Sequence, residues 1–198
     1  MVKDIRICFV GDSLVNGTGD ETALGWAGRL CALANQHGAG ITYYNLGIRG
    51  NTSRDILERL TLTSEVTMRL MNAEEGRVVI SCGVNDTLLE QGSPRIPEKE
   101  SVSNMQSIIE LLEPLYPLLV IGPLPVDDDS QNRRIEQINE KFKDKVEAFN
   151  VPFIDVYSTL SKLSVYREAL KLSDGAHPSS RGYEMIAKVI LESKKWWF

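Results

Sequence analysis

Short apolar runs alternate with helix-like patterns along almost the whole chain, and few folds accommodate that order. The runs are Ile5 to Val10, Ile41 to Leu46, Val78 to Cys82, Leu118 to Ile121 and Val151 to Ile154. The first ends at Gly11 and reads as a strand buried on both faces rather than a half-exposed, alternating one. Helical patterns fill the intervals: Ala23 to His37, Thr52 to Met71, Glu98 to Leu112, Asn132 to Phe149, and a last one from Ser180 to Lys194. Such alternation predicts an α/β fold with a parallel five-stranded sheet and helices on both faces. Ligands of such sheets bind outside the carboxyl ends of the strands, so the segments that follow each run are where chemistry is expected.

At 198 residues, with no repeat, low-complexity tract or linker-like shift in composition, the chain is expected to form a single domain over residues 1–198. Hydrophobic residues at 42% and charged residues at 25% exclude a disordered or membrane-embedded body. The net charge of −5, and the lack of any Lys and Arg run longer than Lys194-Lys195, leave no footprint for a phosphate backbone. Nucleic acid is therefore not an expected partner. The stretch Met1 to Arg6 lacks the h-region of a signal peptide, and no apolar segment is long enough to span a bilayer. The expected location is cytoplasmic, without stable membrane insertion. Cys8, Cys31 and Cys82 are odd in number, lack a C-x-x-C pairing and sit in apolar runs, which reads as reduced structural thiols.

After the first run comes Gly11-Asp12-Ser13-Leu14. Gly11 permits a sharp turn that sets Ser13 at the mouth of the sheet with its hydroxyl available. Asp and Ser are also common in turns and helix caps, so the tetrapeptide alone leaves both readings open. After the second run, Gly47 and Gly50 precede a helix start. Gly50 either only makes the turn, with Thr52 as cap, or also offers a backbone N–H to a developing oxyanion. The third run leads into Gly83-Val84-Asn85-Asp86, where the Asn85 amide is a second candidate donor and Asp86 a candidate for holding the loop by accepting backbone bonds. An Asx turn is the plain alternative there.

Near the end stands Asp174-Gly175-Ala176-His177-Pro178. The three-residue offset across a glycine lets Asp174 accept from one imidazole nitrogen of His177 and leaves the other facing a nucleophile. His37, at a helix end before Gly38, is read as structural. These are the only two histidines, so a zinc site would rest mostly on carboxylates, and no metal is expected. A buried structural histidine explains one Asp-x-x-His match. Four segments that together supply nucleophile, base, orienter and oxyanion donors are much harder to assign to coincidence.

These four segments, in this order, resemble the SGNH hydrolase family, the GDSL esterases and lipases. The resemblance covers nearly the whole chain: Gly11-Asp12-Ser13-Leu14, the Gly50-Asn51-Thr52 turn, Gly83-Val84-Asn85-Asp86, and Asp174 to Pro178. It implies a three-layer α/β/α sandwich, flavodoxin-like in layout, with Ser13 as nucleophile, His177 as base and Asp174 as its orienter. The oxyanion hole it implies uses the amides of Ser13 and Gly50 and the side chain of Asn85. Arg49, beside Gly50, is a candidate for assisting an oxyanion or an acidic substrate group, against the plain reading of a solvated arginine paired with a surface carboxylate. No Gly-x-Ser-x-Gly surrounds Ser13, which excludes the α/β-hydrolase nucleophile elbow.

The expected function is hydrolysis of a small ester through an acyl-enzyme, without metal or organic cofactor. An O-acyltransferase, thioesterase or carbohydrate deacetylase would use the same triad. A reading from another class is a non-catalytic flavodoxin-like module in which residues 11–13 cradle a phosphate or flavin, and it leaves Asp174 and His177 without a purpose. Asp127-Asp128-Asp129 reads as a solvated loop capping the next helix, with a divalent-ion site as the alternative. The loops Thr87 to Pro97 and Pro123 to Gln131 are expected to shape the pocket, and the Trp196-Trp197-Phe198 tail to pack back on the domain rather than touch a membrane or partner subunit. Oligomeric state is left open.

Overall fold

The computed structural model describes residues 3–198; Met1 and Val2, the first positions of the N-terminal stretch considered above, lie outside the described residues. Five parallel strands build the sheet: β1 (Ile5–Gly11), β2 (Ile41–Gly47), β3 (Glu75–Ser81), β6 (Leu118–Ile121) and β7 (Phe153–Ile154), in spatial order β2-β1-β3-β6-β7. Counted within the sheet alone, that is the flavodoxin-like order expected. A two-stranded hairpin, β4 (Leu89–Glu90) with β5 (Ser93–Pro94), lies outside it.

Apolar residues occupy both faces of every central strand because both faces are covered. Ile7 and Phe9 of β1, Val79 of β3, and Leu119 and Ile121 of β6 enter one core. There they meet Trp26 and Leu30 of α2 (Gly25–Gln36) and Ile186 and Ile190 of α9 (Ser180–Leu191). Trp26 stands edge-on to Phe9, ring centroids 5.6 Å apart. The intervening residues, Cys8 and Val10, Val78 and Ile80, Leu118 and Val120, enter the opposite core. That core is closed by α3 (Ser53–Leu62), α4 (Glu65–Leu70), α5 (Glu98–Leu112) and α6 (Asp129–Ala148).

Local chemistry sets the ends of these helices. Thr52 caps α3 in a reciprocal capping box with Asp55, and Asp128 caps α6 by accepting from the N–H groups of Ser130 and Gln131. The Asp127 to Asp129 run is used up in this way, since Asp127 and Asp129 pair with Arg167 at 2.7 and 3.0 Å. The single helix expected over residues 52–71 is two, because Thr63 adopts an extended conformation and ends α3. Three short α-helices and one 3₁₀ turn (Asn85–Thr87) without counterpart in the apolar pattern complete the fold among the described residues: α1 (Ser13–Asn16), α7 (Tyr157–Leu160) and α8 (Ser164–Lys171) are the helices.

The C-terminal rings fold back on the domain. Trp196 is buried, and the Arg77 guanidinium lies 4.8 Å from the ring centroids of both Trp197 and Phe198. All three cysteines are free and buried, and burial pushes the thiols of Cys8 and Cys31 up to about 12. Among the described residues no helix is long and apolar enough to cross a membrane.

Helix α9 packs closely on the loop before it. A Cβ at Gly182 would stand 2.4 Å from the Pro178 Cβ and 3.1 Å from that of Ala169. Gly182→Ala is expected to lower stability to urea by about 1–3 kcal/mol, as overpacking of a close contact does; a variant as stable as the parent would show that this approach is not required.

Candidate active site

Parallel pairing sets the site. Gly11 is in register with Gly47 of the edge strand β2 and with Ser81 of β3, so these three neighbouring strands end on one line and their following loops leave from a common rim. The β1 loop turns at once into α1. Asp12 caps that helix by accepting from the Leu14 N–H at 2.9 Å, and Gly17, at φ 89°, ends it after one turn. Ser13 is thereby fixed as the first helical residue, only 5% exposed.

His177 reaches Ser13 from the last loop. Its Nε2 lies 2.8 Å from Ser13 Oγ, and its Nδ1 lies 2.7 Å from Asp174 Oδ2. The other Asp174 oxygen accepts the backbone N–H groups of Ala176 and His177, at 3.0 and 2.8 Å. Gly175, at φ 82°, supplies the left-handed residue that folds the carboxylate back onto the imidazole. Partial burial pushes the Asp174 carboxyl up, but hydrogen bonds from the His177 ring and the two backbone amides outweigh it and hold the group at about 2. Asp174 is thus an anion at neutral pH and fixes which imidazole nitrogen carries the proton.

A second loop backs the histidine. Residues 17–24 are stapled by the buried Asp20–Arg29 pair, with Asp20 also accepting from the Gly25 N–H at 2.7 Å. The Tyr183 hydroxyl donates to Thr18 O at 2.7 Å, and Ser180 N donates to Glu21 at 2.9 Å, so α9 and this loop are tied together. A Cβ on Gly19 would stand 3.2 Å from that of His177, so this loop lies against the histidine.

The expected oxyanion donors come from the other two loops. Gly50, at φ 78°, is exposed, and its N–H and that of Ser13 have no acceptor among the described residues. Asn85 differs from the expected free donor: its amide nitrogen donates to Asn51 O at 2.9 Å and to Asp12 Oδ2 at 3.3 Å. Asp86 accepts the Ser53 N–H at the start of α3, at 2.8 Å. Arg49 is exposed beside Gly50 and forms no ion pair among the described residues, so the surface carboxylate pairing considered for it is not present. The hairpin loop meets the site through Arg95, whose guanidinium donates to Gly50 O at 3.1 Å. A groove of about 500 Å³ between α2 and α9 includes neither Ser13 nor His177 in its lining, so concavity alone does not mark this site. His37 follows the last turn of α2, away from this network.

Sequence reasoning missed several supporting residues. Asn45, at the end of β2, donates to Val15 O at 2.9 Å and steadies α1; a polar residue closing an apolar strand was the available signal. Asp12 fills the helix-cap role that its residue type allows, but its enclosure leaves no signal in the sequence. Burial pushes its carboxyl up to about 7, with the nearby Asp86 charge adding to the shift and the Leu14 amide opposing it. Native Asp12 therefore keeps its proton to about pH 7, whereas the unfolded carboxyl ionises near 3.8. Between those values the native state binds the extra proton, so the contribution of this group is fully present below the unfolded value and is lost as pH rises to 7. In urea unfolding, the stability of Asp12→Asn relative to the parent is expected to climb steadily across that window; a flat difference would contradict the assignment.

Known proteins share this arrangement of the chain. The model of the GDSL-like Lipase/Acylhydrolase family matches residues 9–185. The lipase/acylhydrolase from Enterococcus faecalis is similar at 25% identity and a TM-score of 0.77, with 96% of this chain and 95% of that chain covered. A catalytic mutant of an acetylxylan esterase from Geobacillus stearothermophilus matches with a TM-score of 0.78 at 21% identity, over 100% of this chain and 97% of that chain. A member of the lipolytic protein G-D-S-L family from Veillonella parvula does so at 0.73 and 21%, over 98% and 100%. No curated protein matches the chain. The matched span takes in every segment assembled at the rim of the sheet, and the chain belongs to the GDSL-like lipase/acylhydrolase family.

Proposed function

We propose that the chain hydrolyses small carboxylic esters through an acyl-enzyme on Ser13. The observation that carries this reading is the continuous contact from Ser13 Oγ to His177 Nε2, 2.8 Å, and from Nδ1 to Asp174, 2.7 Å. Ser13 Oγ attacks the ester carbonyl carbon while His177 Nε2 takes the hydroxyl proton. The tetrahedral oxyanion is held by the N–H groups of Ser13 and Gly50 and by the Asn85 amide, which gives up its longer bond, the one to Asp12. Collapse of the intermediate breaks the bond to the alcohol oxygen, and His177 returns the proton to it. Water then attacks the acyl carbon, giving its proton to His177, and Ser13 leaves with that proton restored.

The substrates we propose are small-molecule esters with short acyl groups. The free, buried thiols support the reducing cytoplasm as the compartment. The same geometry serves thioesters and acetylated sugars, and the acceptor and alcohol portion are the features a substrate panel reads.

With p-nitrophenyl acetate, Ser13→Ala is expected to reduce turnover to the buffer rate with an unchanged thermal melt, and Asn85→Ala to lower kcat about 10²- to 10³-fold, as loss of one oxyanion donor does. Parent-like turnover in Ser13→Ala would remove that residue as nucleophile, and an unchanged kcat in Asn85→Ala would remove the amide from the oxyanion hole.

A further inference from the structure

A single guanidinium underlies all three proposed oxyanion donors. Arg59 sits on α3 with its side chain 13% exposed and its other end paired with Glu65 of α4. Its Nη2 donates to Gly11 O at 3.2 Å and to Leu46 O at 2.8 Å, the carbonyls at the ends of β1 and β2. Its Nε donates to Asn51 Oδ1 at 3.0 Å. Gly11 leads directly into Asp12 and Ser13, and Asn51 directly follows Gly50. The Asn51 carbonyl in turn accepts the Asn85 amide at 2.9 Å.

We infer that Arg59 is a positioning residue for the oxyanion hole, tying the Ser13 turn, the Gly50 loop and, through Asn51, the Asn85 side chain into one arrangement. The inference rests on the acyl-transfer reading above. The planar fork of arginine meets three acceptors on two strand ends and a loop, a geometry the compact ammonium of lysine does not reproduce. Loosening it leaves the ester free to dock but lets the donors drift from where charge develops, and sub-ångström drift of such donors is felt in the chemical step. The expected signature is a loss in kcat with KM little changed, because the interaction is made to the transition state rather than to bound ester.

The test uses the full chain, p-nitrophenyl acetate, and a phenylboronic acid whose serine adduct carries the tetrahedral negative charge. Loss of turnover in Ser13→Ala, measured alongside, checks the parent reading independently; turnover persisting there overturns that reading whatever Arg59 does. Arg59→Lys is expected to lower kcat about 10- to 100-fold with KM within about threefold, and to weaken boronate inhibition in step with kcat. Asn51→Ala, which cuts the link to the loop but leaves the strand-end bonds, is expected to show the same split in smaller measure and to add little to Arg59→Lys. Glu65→Gln keeps the bonds to Gly11, Leu46 and Asn51 and is expected to lower the melting temperature more than kcat. A folded Arg59→Lys with parent-like kcat and boronate affinity overturns the proposal. Should that variant not fold, Asn51→Ala decides alone, and parent-like kinetics there overturn it equally.

Discussion

The in-register parallel pairing of β1 with β2 and β3 is the constraint on which the rest of the molecule depends. Because Gly11, Gly47 and Ser81 lie on one line, three loops far apart in sequence start from the same rim. A slip of one residue in either pairing would exchange the two faces of a strand and carry its apolar residues out of their cores. The cores therefore enforce the register, and the register brings the loops together.

What stands at that rim is costly to bury. Asp12 and Asp86 are enclosed carboxyl groups, and Arg59 is a nearly enclosed guanidinium; Asp12 accepts the Leu14 N–H, Asp86 accepts the Ser53 N–H with one oxygen while the other has no partner among the described residues, and Arg59 donates to the carbonyls of Gly11 and Leu46. Such groups contribute less to stability than apolar residues of the same volume would. Their physical sense lies in orientation: the backbone groups they engage, those of Gly11, Leu14, Leu46 and Ser53, stand within a few residues of Ser13 or Gly50. The opposing side is held differently. His177 is placed by a glycine turn and by a loop stapled to α9, so nucleophile and base are positioned by separate elements that meet across one hydrogen bond.

The sheet was legible because fully buried parallel strands leave unbroken apolar runs, and the segments after those runs were legible because ligand chemistry collects there. Asp174 and His177 could be paired from sequence since their contact spans three residues and needs only a glycine turn. Other features leave no local trace. Thr63 breaks a pattern whose apolar residues continue beyond it: it is extended and its hydroxyl donates to Arg59 O at 2.7 Å, closing α3 in a way that apolar periodicity does not encode. Arg59 lies next to the buried Leu60 on a charged helix and reads as solvent-facing, since its acceptors are strand-end carbonyls more than a dozen residues away. The engagement of Asn85 with Asp12 was equally invisible, because it depends on how close the β1 and β3 loops come.

Covalent capture of the nucleophile tests the account most directly. Incubated with a p-nitrophenyl alkylphosphonate, the whole chain is predicted to release one equivalent of p-nitrophenol, gain one phosphonyl group by intact mass, and carry it on the peptide containing Ser13. A label on any other residue, or an equal gain of mass in Ser13→Ala, would contradict it.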